Sequence, residues 1–173
     1  MSIVGHYVRL KQAELLRAAE EPGWLSEFVE ELAEREAGRA LTPGERRCHD
    51  TGKAWDALRF LLERRGFPVD VVHGEEELPG EGDRGYGPPR TLAPERVEQA
   101  ARELAGLPFD ELVTGGTAAG LDTAAALAAA GVYPVGLWAD PSGLEYVSAH
   151  YAGLVGFLRV TARYRQGLVI RHG

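Results

Sequence analysis

An α/β fold, with a small mixed sheet of short strands and helices on both faces, is what this sequence predicts. Short β-favourable segments lie near both ends of the chain. Between them the apolar residues recur mostly at helical spacing. No internal repeat or low-complexity linker interrupts the 173 residues, which read as one domain, 1–173. Hydrophobic residues at 45% and charged residues at 26% match ordinary globular proteins, and a chain of this size can bury about 70% of its unfolded surface. That is enough for a core without disulfide or metal staples.

Residues 2–10 read as a strand carried by Ile3, Val4, Tyr7 and Val8. A short helix over 12–19 stops before Pro22 and Gly23. Trp24, Leu25, Phe28, Val29 and Leu32 then recur at helical spacing, with Glu27, Glu30, Glu31 and Glu34 on the wet face. Thr42-Pro43-Gly44-Glu45 has the pattern of a capping box with proline at the first helical position, so a short helix is expected there. A second helix is expected from Asp50, burying Trp55, Leu58, Leu61 and Leu62 and ending at Gly66 in a left-handed turn.

Valine-rich 68–73 reads as a short strand, and 74–90 as the longest loop, rich in glycine, proline and acid. Helices follow over 94–104 and 108–113. A glycine-rich connection over 115–120 leads to Asp122, which caps an alanine-rich helix ending at Gly131. Residues 132–138 contain Pro134 and suit an edge strand or extended connector. Ser142-Gly143-Leu144-Glu145 reads as a capping box for the longest helix, reaching about 165 with Val147, Tyr151, Leu154, Leu158 and Thr161 along one side. Gly167 ends that helix, and Leu168, Val169 and Ile170 form a terminal strand that pairs with the first.

Charge limits the partners. Nineteen basic and 26 acidic side chains give a net charge of −7, which repels phosphate backbones and anionic bilayers at long range. Neither nucleic acid nor membrane is an expected partner. The longest apolar run, 121–138, holds Asp122, Gly131, Pro134 and Gly136 and makes a poor membrane span. The N-terminus has no secretory pattern, so a cytoplasmic location is expected. Cys48 is the single cysteine, which excludes an intramolecular disulfide and a multi-cysteine zinc site.

Four segments together carry a resemblance: Ile3-Val4-Gly5-His6-Tyr7; Lys53-Ala54-Trp55-Asp56-Ala57-Leu58-Arg59-Phe60-Leu61-Leu62; Gly85-Tyr86-Gly87-Pro88-Pro89-Arg90 with Pro94-Glu95; and Val132-Tyr133-Pro134 with Trp138. In this order and spacing the chain resembles the YfbM-like family, a bacterial domain of unknown function (DUF1877), over essentially its whole length. The resemblance implies a three-layer α/β/α sandwich and brings no reaction or cofactor. The family commonly has a histidine where this chain has Arg59, and the acidic run before Asp50 is longer here.

Within the loop over 85–90, glycines and prolines would hold the Tyr86 ring in one place, and Arg90 offers a two-pronged donor to a carboxylate or phosphate. The plainer reading has Tyr86 pinning the loop while Arg90 pairs with a nearby acid. Lys53, Trp55 and Asp56 sit near a helix start, where free amides favour anions; the plainer reading makes Trp55 a core anchor and Lys53 a surface charge. Tyr133 and Trp138 extend this aromatic set and form either a core rim or a recognition surface.

Cys48-His49-Asp50 has triad residue types, but consecutive side chains do not converge. His6, His73, His150 and His172 show no metal-ligand spacing, and neither a metal nor a cofactor is expected. The glycines over 115–120 lack the Lys-Ser/Thr of a phosphate loop. The expected function is a non-catalytic binding module recognising a protein partner or a small ligand. The alternative is a small hydrolase or transferase that pairs Asp56 or Asp140 with a distant histidine.

Overall fold

A computed structural model describes residues 2–21, 23–80, 86–114 and 122–173. Five strands form one sheet in the order β2-β1-β5-β4-β3. They are β1 (Gly5–Leu10), β2 (Cys48–Asp50), β3 (Glu76–Glu77), β4 (Arg90–Leu92) and β5 (Gly167–His172). The terminal strands pair as expected, over six residues from Gly5↔His172 to Leu10↔Gly167. The sheet differs from expectation in one respect: every pairing among the described residues is antiparallel, not mixed. The two central strands come from opposite ends of the chain and run in opposite directions, and each edge strand is antiparallel to its neighbour.

Alternation along the strands divides the interior in two. Tyr7, Leu92, Leu168 and Ile170 face the larger core, with α3 (Trp55–Arg65), α4 (Pro94–Ala105), α5 (Phe109–Thr114), α6 (Thr123–Ala129) and α7 (Ser142–Arg163). Val8, Leu10, Leu78 and Val169 face a smaller core under α1 (Gln12–Glu20) and α2 (Trp24–Glu36). The layers are therefore α/β/α. The expected stripe of α7 is buried at Val147, Tyr151, Leu154, Leu158 and Thr161, and that of α2 at Leu25, Val29 and Leu32.

Local chemistry overrode pattern at five places. Thr42 and Glu45 make their capping bonds, with the Thr42 N–H and Oγ1–H both donating to Glu45 Oε2, at 2.9 and 2.7 Å. Yet the segment makes only a turn, because the Arg9 N–H donates to the Arg47 carbonyl and draws the chain into the sheet edge. Asp50 ends β2 and accepts the Gly52 N–H at 3.0 Å; a 3-10 turn, Gly52–Ala54, intervenes before α3. Residues 68–73 are turn, not strand. The Asp70 carboxylate accepts the backbone N–H groups of Val72 and His73, at 3.2 and 2.9 Å, and bends the chain against its valine content.

Residues 135–139 form a 3-10 turn instead of a strand, after the cis Tyr133-Pro134 bond. Helix α7 is capped by Asp140, whose Oδ1 accepts the Ser142 N–H at 2.8 Å, not by Ser142 itself. The glycine-rich segment 115–120 and Gly85 lie outside the described residues. No helix among the described residues is long and apolar enough to cross a membrane.

Candidate functional site

Gly5, at the start of β1, packs against the start of helix α3. A Cβ there would stand 2.6 Å from Thr51 Oγ1, 3.1 Å from Trp55 Cβ and 3.6 Å from His172 Nε2. Only glycine permits that approach. Trp55 opens α3, His172 ends β5, and His73 is delivered by the Asp70 turn. Their rings gather: Trp55 lies 4.7 Å from His172 and 6.2 Å from His73, and the two histidines are 5.3 Å apart by centroid. Tyr133 closes the group at 6.2 Å from Trp55, its hydroxyl accepting the Ile3 N–H at 3.2 Å.

The cluster is half-buried and sets a neutral histidine beside an ionised carboxylate. Burial, reinforced by the neighbouring His73, lowers the His172 pKa to about 4, so its ring is neutral near pH 7. Burial works against the Asp70 carboxylate, but hydrogen bonds from the His73 side chain and from backbone N–H groups outweigh it and hold its pKa below the usual value. His73 Nδ1 lies 3.4 Å from Asp70 Oδ2. Trp55 Nε1 and His172 Nε2 are buried and have no hydrogen-bond partner. Unsatisfied buried polar atoms are uncommon and call for a reason. Beside Asp70 opens a cleft of about 310 Å³, lined also by Arg59 and Glu75.

Asp56 supports the cluster from below. Its Oδ1 accepts from Arg59 Nε at 2.7 Å and its Oδ2 accepts the Tyr133 N–H at 2.8 Å. Both oxygens are engaged, and the carboxylate works as a brace. Asp140 is spent on the α7 cap. Among the described residues the histidine–acid pair in contact is His73 with Asp70, and neither Asp56 nor Asp140 makes such a contact with a histidine. Among the described residues no group of three or more His, Cys, Asp or Glu is placed to hold a metal ion.

The other expected residues scatter. Trp138 is buried in the larger core and donates Nε1–H to the Val132 carbonyl at 2.7 Å. Tyr86 is 50% exposed. Arg90 donates to the Glu75 carbonyl at 2.9 Å and lies 3.7 Å from Glu77, which is its plainer reading. Lys53 is exposed, and its backbone N–H donates to Tyr146 at 3.0 Å. Trp55, Asp56 and Tyr133 come together. His73 and His172 were missed as site residues, because they are 99 positions apart in sequence and meet only through the β1–β5 pairing and the Asp70 turn.

This architecture, a five-stranded antiparallel sheet between two helical layers, defines a class of α/β domain, and comparison gives the family. The family model described as a domain of unknown function (DUF1877) matches residues 1–171, and the chain belongs to that family. A solved structure, a protein of unknown function, YfbM from Escherichia coli, is similar at a TM-score of 0.58 and 17% identity, over 96% of this chain and 98% of that one. At that identity the likeness concerns the fold. No curated protein matches.

Proposed function

We propose that this domain is a non-catalytic binding module whose recognition site is the Trp55–His73–His172–Tyr133 cluster, and that it takes a small neutral ligand rich in hydrogen-bonding groups. The observation that carries this reading is the pair of unpartnered polar atoms, Trp55 Nε1 and His172 Nε2, on rings whose centroids are 4.7 Å apart. The indole offers a donor, and a neutral imidazole offers one donor and one acceptor. Flat rings around them suit a planar or sugar-like body. Thr51, whose Oγ1 adjoins the same point at Gly5, is fully buried, and burial raises the Cys48 thiol to about 11.

The test is a thermal-shift and tryptophan-fluorescence screen of sugars, nucleosides, amino acids and amides, run beside Trp55→Phe, which deletes the indole N–H. A ligand in large excess over its Kd raises apparent stability by a few kcal/mol. The expected result is a hit lost in Trp55→Phe. Hits indifferent to Trp55→Phe, or a blank screen with a protein partner captured instead, would overturn the reading. A second reading rests on the contact between His73 and Asp70, which has the make-up of an acid–base pair. It predicts turnover of an ester or glycoside panel that disappears in His73→Ala.

A further inference from the structure

A separate cleft of about 290 Å³ lies between the 41–46 segment and helix α7. Leu41, Pro43, Phe157 and Val160 give it apolar walls, and Arg46 and Arg159 line it with no Asp or Glu among the lining residues. Among the described residues the two guanidinium groups make no ion pair and no side-chain hydrogen bond. Elsewhere Arg47, Arg59 and Arg96 pair with carboxylates.

Three further features mark the same place. His49 stacks on Phe157, with centroids 5.0 Å apart and planes at 18°, and its buried Nε2 has no partner. Gly153 and Gly156 interrupt the interior of α7, where glycine weakens a helix. A Cβ at Gly153 would stand 3.1 Å from His49 Cε1, and one at Gly156 would meet nothing within 4 Å. The missing Cβ at Gly153 lets the imidazole pack against α7, and that at Gly156 leaves open space. Behind the 42–46 turn lies Arg9, 2% exposed, donating to the Gly44 carbonyl at 2.6 Å, while its Nε and Nη1 have no partner.

The nearby acids, Glu36 and Asp50, line an adjoining cleft with Arg46 and are held by backbone N–H groups. Glu36 accepts the N–H groups of Arg47 and Cys48, at 2.7 and 3.1 Å, and Asp50 accepts that of Gly52. A concave apolar surface lined by two guanidinium groups and by no carboxylate suits an oxyanion attached to an apolar body, with a planar fork to grip the charge.

We propose that this cleft binds a small organic oxyanion, a carboxylate or phosphate, with Arg46 and Arg159 holding the charged group and Phe157 and Val160 covering the apolar part. The test is an amide NMR titration of the full chain with phenyl phosphate, benzoate, neutral benzamide and inorganic phosphate. Phenyl phosphate or benzoate should give saturable shifts at His49, Gly153 and Gly156, and benzamide should not. Which of the two binds more tightly identifies the oxyanion. Affinity should fall at least tenfold in the Arg46→Gln, Arg159→Gln double variant. Both side chains are exposed, so the fold should survive, as an unchanged spectrum elsewhere would confirm. Trp55→Phe should leave this binding intact, which separates it from the cluster above. Shifts that fail to saturate, an equal response to benzamide, or unchanged affinity in the double variant would overturn the proposal. Inorganic phosphate binding as tightly as phenyl phosphate would remove the apolar part of the ligand.

Discussion

His172 ties the candidate cluster to a property measurable without any ligand. Its folded pKa of about 4 lies below the ordinary 6.5 because burial and the neighbouring His73 oppose the charged ring. Between these values the unfolded chain holds a proton that the folded chain refuses, so stability rises with pH across that window and is lost as pH falls through it. From pH 7 to pH 5 the loss amounts to about 2 kcal/mol. Burial also lowers the pKa of His6 and His49, which act in the same direction. His172→Phe isolates the one contribution: urea midpoints should fall less between pH 7 and pH 5 in the variant than in the parent. The Cε1 proton of His172 should titrate near pH 4, and a midpoint near 6.5 would show that the ring is solvated. Gly5→Ala probes the close approach that builds the cluster. Its Cβ would collide with Thr51 Oγ1 and crowd Trp55, so stability should fall by more than the roughly 1 kcal/mol of a typical point substitution.

At the scale of elements, the turn over 68–73 shows why part of the site escaped sequence reasoning. Three valines in six residues outvote one aspartate on propensity, but a single side chain accepting two backbone N–H groups decides the path. Asp70→Asn keeps an acceptor oxygen for those amides, whereas Asp70→Ala removes it. The alanine variant should lose about 1–2 kcal/mol in denaturant unfolding and the asparagine variant less. Equal losses would mean that the charge facing His73, not the turn, is what matters. Where helices bury a regular stripe, as in α7, or end on a left-handed glycine, as α3 does at Gly66 with φ 69°, the pattern was readable. Gly66→Ala should cost about 1 kcal/mol by thermal melt, because that backbone angle disfavours any Cβ even with open space around it. Trp55 was legible as a candidate from its position at a helix start; its partnership with His73 and His172 was not, since it depends on strand register and on a turn that competes with strand propensity.

For the whole molecule, the decisive feature is that β1 and β5 lie inside the sheet and carry a different core on each face. Tyr7 and Ile170 belong to the larger core, and Val8 and Val169, their sequence neighbours, to the smaller one. Neither helical layer has a sheet of its own, so loosening either layer disturbs the strands that hold the other. Leu158 in the larger core and Leu10 in the smaller are both fully buried. Truncating either to alanine removes apolar contact and leaves a void, a cost of about 2–5 kcal/mol in close-packed interiors. If the two cores unfold as one, Leu10→Ala and Leu158→Ala should each lower the same single calorimetric transition, with calorimetric and van't Hoff enthalpies remaining equal. Two resolved transitions in Leu10→Ala would instead make the α1–α2 layer a separable unit. That layer packs against the face opposite Tyr7 and Ile170, so its early loss would also leave the Trp55 cluster largely in place, readable as retained Trp55 fluorescence response through the first transition.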